Sequence, residues 1–314
     1  MSRYSVFDSH CDTAFELWRR SQSIDQTDCH VSLSQMQGLA ECSMFFAFCT
    51  YAGVDLGFSC EQLLWQPYQY FMKNFEQCGD AMKLCTSSEE QSKALNENKT
   101  AVFLSLEGAE GISCDPGRLE ELKAAGFTMV NLTWNADNVL AGSAAKDGPG
   151  LSKVGRDFVK KAQKLGMVID VSHISDKAFW DIMDITQAPI VASHSNSRKL
   201  CGHCRNLTDE QFLAICKTGG YVGINLYSLF LSSDHSATFE DVYRHMDHFL
   251  LLGGGDHVAL GGDLDGCDSF PREFAGLKDY EKLASYLEQR GFLKDTIQNI
   301  FSNTIKEVLK VCTM

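Results

Sequence analysis

In "VFDSHCDTA", residues 6–14, a histidine, His10, stands two positions before an aspartate, Asp12. Residues two apart in extended chain point the same way, so an imidazole nitrogen and a carboxylate oxygen can reach one cation from this stretch. Residues of the same types end other apolar runs: Glu107 closes "AVFLSLEG", His173 closes "MVIDVSH", His194 closes "PIVASH" and Asp263 closes "VALGGD". Three imidazoles and three carboxylates suit zinc or another borderline divalent ion, which takes nitrogen and oxygen donors. Six side chains exceed what one tetrahedral ion can use. Two ions about 3.5–4 Å apart, bridged by a carboxylate and a water, would use them all and serve two-metal hydrolysis. Each residue alone has a plainer explanation: a hydrogen-bonded surface histidine, a helix-start glutamate, a capping turn in "SHSNS". None of these explains why the same chemistry recurs where apolar runs stop.

Something must bring those run ends together. The runs "YSVFDSH", "CSMFFAFCTY", "TAVFLSLEG", "TMVNLTW", "MVIDVSH", "PIVASH", "YVGINLY" and "HVALGGD" read as eight strands. They alternate with stretches such as "KVGRDFVKKAQKLG" and "TFEDVYRHMDHFLLLGG", whose apolar residues recur at helical spacing and which close on glycine. Strand alternating with helix predicts a parallel sheet, and eight such units predict an α/β fold, a (β/α)₈ TIM barrel with extra helices. An open doubly wound sheet is the competing architecture, but no G-x-G-x-x-G follows the first strand. In the barrel, ligands at strand C-termini all lie on the face where such folds build active sites. The segment from Thr50 to Asn98 predicts added helices, with "AMKLCT" as an extra strand. No linker or repeat marks a boundary, so the expectation is one domain over residues 1–314.

Composition narrows the function. With 44% hydrophobic and 22% charged residues, the chain carries the core formers of a soluble globular protein. A net charge of −13 argues against nucleic acid as a partner, which would need a basic face. No run approaches the ~20 apolar residues that cross a bilayer, and the start lacks a signal-peptide core, so no membrane partner and a cytoplasmic location are expected. The cysteines number thirteen, an odd count scattered through a long chain, and read as reduced thiols.

At these residues the chain resembles the renal (membrane) dipeptidase family of zinc peptidases, within the amidohydrolase-like barrels. The resemblance is carried by "DSHCD", "LSLEG", "VIDVSH", "SHSNSR", "RNLTDEQ" and "GGDLDG", in the family's order from residue 8 to residue 266. Position by position it implies two Zn²⁺ per chain, with His10 and Asp12 on one, His173 and His194 on the other, and Glu107 bridging. It further implies Asp263 as the acid/base carboxylate, Arg205 in "CRNLTD" as the grip on a substrate carboxylate, Tyr227 in "INLYS" as a substrate contact, a dipeptide substrate and a homodimer. The chain departs from vertebrate members at Trp134 in "NLTWNADN", where they carry a histidine that contacts substrate. An indole N–H donates one hydrogen bond but neither accepts one nor carries charge, so Trp134 is either a substrate contact or wall packing.

Other features carry less. "CGHC", residues 201–204, has redox spacing but stands after a late strand rather than at a helix start in a small βαβ fold. His245 and His248 share a helical face, read as a solvated surface. The rival functions are another metal-dependent hydrolase on the same scaffold, a deaminase or lactonase, and a metal-binding protein without turnover.

Overall fold

A computed structural model describes residues 4–312. Among the described residues nine strands form, all paired in parallel: β1 Val6–Cys11, β2 Cys42–Cys49, β3 Met82–Leu84, β4 Thr100–Glu107, β5 Phe127–Asn131, β6 Val168–Asp170, β7 Ile190–Val191, β8 Val222–Ile224 and β9 Val258–Leu260. Eight follow one another in the order β7-β6-β5-β4-β2-β1-β9-β8, and a parallel bridge from Ala192 to Val222 joins the two ends into a barrel. The eight expected runs are the eight staves. The ninth strand, β3, is "AMKLCT"; it pairs with Thr100–Val102 at the base of β4, and β5 takes over that edge from Leu104 upward. Helices 60–77 and 88–96 fill the rest of the long excursion. Among the described residues no helix is long and apolar enough to cross a membrane.

The interior is layered, because every second residue of a barrel strand points inward. At the base, the rings of Phe7, Phe45 and Phe103 stack on one another at centroid distances of 5.9, 5.4 and 5.1 Å. Met129, Val168, Val191, Tyr221 and Ala259 complete this plug, and Ile305 and Val308 of the last helix seal it from below. Two residues on, the side chains shrink: Ala47 faces Ser105 across the β2–β4 pair, and Gly223 and Gly261 stand on β8 and after β9. A Cβ at Gly261 would lie 1.8 Å from the Ser193 carbonyl oxygen, and one at Gly223 2.0 Å from the same atom. Closing the barrel therefore requires glycine at both places. Two residues further, the strands deliver Cys49, Glu107 and Asp263, so the apolar plug forms a floor under a polar mouth.

Outside the barrel, side chains such as Met44, Phe46, Leu104, Val130 and Ile169 pack under the helices in the larger core. Several helix starts are fixed by side-chain caps. In "RNLTDEQ" the Thr208 hydroxyl accepts the Gln211 N–H (3.2 Å) while the Gln211 side chain accepts the Thr208 N–H (2.9 Å).

His245 does not lie on a solvated helix face: it is 1% exposed. Its Nδ1 accepts the backbone N–H of Ser197 (3.0 Å), and its Nε2–H donates to the Leu231 carbonyl (3.1 Å). The loop after β7 folds over helix 239–251 and makes this imidazole a buried brace, while His248 pairs with Asp209 at 2.7 Å. Burial pulls His245 down from 6.5 to about 4, since the charged imidazole loses its water there. Below pH 6.5 the unfolded chain therefore takes up a proton that the folded chain refuses, and stability falls as pH drops from 6.5 toward 4. Urea unfolding of the chain and its His245→Gln variant is expected to show the variant less stable at pH 7. That gap should narrow by about 2–3 kcal/mol by pH 4, since a tenfold difference in proton affinity between the folded and unfolded chain is worth about 1.4 kcal/mol; a constant gap would contradict the role given to His245.

Candidate metal centre

The mouth is built from strand ends. Glu107 follows Phe103 and Ser105 on the inward face of β4. In β1 the register against β2 shifts between Asp8 and Cys11, and successive residues reach across the barrel: Ser9 Oγ donates to the Ser193 carbonyl (2.6 Å), and His10 Nε2 lies 3.7 Å from Glu107 Oε2. His173 and Asp263 sit past the ends of β6 and β9 with φ of 72° and 57°. That left-handed backbone is uncommon for residues other than glycine, and it turns both side chains back over the mouth.

All six residues expected as ligands or acid/base meet there, in two adjoining groups. In one, His10 Nε2 stands 3.5 Å from Asp12 Oδ2 and 3.8 Å from Asp263 Oδ1. In the other, the Nε2 atoms of His173 and His194 are 3.0 Å apart and lie 2.9 and 3.4 Å from Glu107 Oε1. Glu107 thus presents one oxygen to each group. All six are buried, and both ring nitrogens of His10 and Oδ1 of Asp12 have no hydrogen-bond partner. Asn135 Oδ1 accepts the Nδ1–H of His173 (2.9 Å), which leaves a lone pair on Nε2. Lone pairs and carboxylate oxygens converging without a donor between them are the arrangement a divalent cation satisfies.

The electrostatics agree. Burial alone would lower His10, but the carboxylates of Glu107, Asp12 and Asp263 push it up to about 10. His173 and His194 fall well below the usual imidazole range through burial, with Arg205 adding to the effect on His173 and His10 to that on His194. Burial raises Asp12 to about 7. It would raise Asp263 as well, but His194, His10, Cys267 and Asn225 together hold that residue at about 2. The shifts of His10 and Asp12 point to a cavity that favours positive charge among its carboxylates.

A pocket of ≈ 120 Å³ opens onto these groups and is also lined by Arg205, Tyr227, Trp134, Tyr51, Asn135 and Cys267. Arg205 is buried with its Nε and Nη2 unpartnered, its guanidinium over the Phe230 ring at 5.6 Å. Tyr227 packs edge-on against the same ring at 4.9 Å. Trp134 lies between Tyr51 (5.2 Å) and His173 (6.2 Å). Asp263 Oδ2 is held by Asn225 Nδ2 (2.9 Å) and the Cys267 thiol (3.1 Å), leaving Oδ1 toward His10. Asp265 turns elsewhere and accepts from the His30 N–H and the Thr13 hydroxyl. A Cβ at Gly266 would meet Asp12 Oδ2 at 2.1 Å and Asp263 Oδ1 at 2.5 Å, so "GDLDG" needs its last glycine. In "CGHC", Cys201 is buried, Cys204 is exposed, and all thirteen cysteines are unpaired. Asn135, Tyr51, Asn225 and Cys267 were not singled out in the sequence; the local signals are that Tyr51 ends the run "CSMFFAFCTY", Asn225 stands in "INLYS", and Asn135 and Cys267 directly follow Trp134 and "GGDLDG".

The chain matches the family described as membrane dipeptidase (peptidase family M19) over residues 1–313. An uncharacterized protein in the pqqA 5′ region of Klebsiella pneumoniae is 32% identical over 259 residues, 79% of this chain and 95% of that protein. The dipeptidase AC, a metallopeptidase of family M19, superposes with a TM-score of 0.89 at 26% identity over 98% of both chains. A metallopeptidase from Rhodobacter sphaeroides, liganded with a phosphinate mimic of the dipeptide L-Ala-D-Ala, gives the same TM-score at 24% identity over 98% of this chain and 99% of its own, a likeness of fold. A parallel barrel, a mouth built for metal and a match along nearly the whole length point one way: this chain is a metal-dependent dipeptidase and belongs to the membrane dipeptidase family, peptidase family M19.

Proposed function

We propose that the chain is a binuclear zinc dipeptidase that cleaves free dipeptides, including those with a D-residue at the carboxyl end. The observation that carries this reading is the divided Glu107 carboxylate, one oxygen toward His10 and the other toward His173 and His194. His10 and Asp12 would hold one cation, His173 and His194 the other. Bound there, the two cations supply the charge that activates a water and polarises the scissile carbonyl.

The remaining steps fall to the chain itself. Arg205 is a buried cation with free donors on the pocket wall, and its planar fork suits a terminal carboxylate, which limits substrates to those ending at that point. Asp263 is ionised across the neutral range and fixed through Oδ2, so Oδ1 can take a proton from the attacking water and pass it to the leaving amine. Tyr227 and Trp134 present aromatic surface to the substrate, and the uncharged indole orients through packing and one N–H. The D-residue part of the reading is supported by the ligand of the Rhodobacter sphaeroides neighbour.

Elemental analysis together with hydrolysis of a mixed L,L and L,D dipeptide library tests the reading: two zinc per chain and release of free amino acids from both sets are expected. Metal without release would favour a non-catalytic binding protein, and release from L,L substrates alone would remove the D-residue part. Glu107→Ala and His173→Ala should abolish turnover while circular dichroism stays that of the parent chain. Arg205→Ala should lower kcat/KM for dipeptides by about 10²–10³, the scale of a lost buried charge pair, mainly through KM; unchanged kcat/KM would remove Arg205 from the site.

A further inference from the structure

A metal-binding imidazole must donate through the nitrogen that does not face the metal, since that bond decides where the ring keeps its proton. For His173 the acceptor is Asn135. For His194 it is less obvious, because Nδ1 lies 2.7 Å from the hydroxyl of Ser193, which can donate as well as accept. A second contact resolves the direction: Ser193 Oγ also bonds to Asp170 Oδ2. One hydroxyl has one proton, and the Asp170 carboxylate already accepts the Ser172 and Ser193 backbone N–H groups on Oδ1, both at 2.9 Å. The Ser193 proton therefore goes to Asp170, and Ser193 Oγ accepts from His194 Nδ1–H. The chain of donors runs one way, from His194 through Ser193 to Asp170, and it leaves the Nε2 lone pair facing Glu107 and His173. Asp170 is fully buried within the barrel, and its oxygen lies mutually within 4.8 Å of a nitrogen of His194 and one of His10.

We propose that Asp170 and Ser193 are positioning residues that fix the tautomer of His194 and thereby open the cation subsite it shares with His173. This rests on the two-cation reading given above. Neither residue needs to touch substrate.

Asp170→Asn tests it with almost no change of shape. The amide oxygen keeps the two backbone N–H groups, so the NH₂ must face Ser193 Oγ. Ser193 Oγ accepts from that NH₂, and its own proton, deprived of the carboxylate, turns to its other neighbour, His194 Nδ1, which favours the ring proton on Nε2, in the cation subsite. In metal-free protein labelled with ¹⁵N-histidine, with the His194 signals identified by their loss in His194→Gln, the parent chain should show His194 protonated at Nδ1 and Asp170→Asn at Nε2. Calorimetric titration with zinc should show two equivalents for the parent chain. In Asp170→Asn and in Ser193→Ala, which removes the link, one equivalent should weaken by about 10–100-fold, the range for lost outer partners of metal ligands. The melting temperature of the metal-free variants separates misfolding from this effect, and Ser193→Ala serves if Asp170→Asn fails to fold. Retention of Nδ1–H in Asp170→Asn, or parental affinity for both equivalents in both variants, overturns the proposal. A parent chain that binds fewer than two zinc ions refutes the two-cation reading, and the nitrogen spectra then decide the tautomer claim alone.

Discussion

Carboxylates and imidazole lone pairs gathered out of water repel one another unless positive charge is set among them, and the mouth of this barrel gathers both kinds at distances of 2.9 to 3.8 Å. Everything else about the site answers that demand. The carboxylates of Glu107, Asp12 and Asp263 push the proton affinity of His10 up to about 10 even though burial opposes it. Arg205 lines the same pocket, and two of its donors stay unpartnered on the wall. On the proposed reading, the charge that neutralises the carboxylates and the charge that receives a substrate are different charges, and a zwitterionic dipeptide would complement the second without displacing the first.

A closed barrel suits such a site because it supplies the ligands from separate strands and holds them on a floor that cannot relax. The stacked phenylalanines beneath and the glycines against the Ser193 carbonyl leave no room for the mouth to collapse and ease its own repulsion. Left-handed backbone at His173 and Asp263 costs of order 1–3 kcal/mol each and persists only because neighbouring structure over-determines it. Such strain at two site residues is consistent with geometry held for chemistry rather than for stability.

Much of this was legible in the sequence. All eight apolar runs became staves, since buried parallel strands must be apolar along their length and the polar residues that stop them mark the rim. The six residues that meet at the mouth stood out for the same reason. Less legible were the strand limits: "PIVASH" holds only two regular residues, Ile190–Val191, because the chain must curve at once to swing His194 inward. His245 misled because helical spacing says which residues share a face but not what covers that face, and here a distant loop does. Asp170 and Ser193 lie 23 residues apart and acquire a role only when β6 and β7 pair, although an aspartate inside an otherwise apolar strand was a signal available beforehand.

On the proposed reading, Glu107 stands between two cations. Anomalous diffraction at the zinc edge, from crystals of zinc-loaded protein, measures this most directly. Two peaks about 3.5–4 Å apart on either side of the Glu107 carboxylate are the predicted result. A single peak at the mouth, or zinc bound away from His10, His173 and His194, would contradict it.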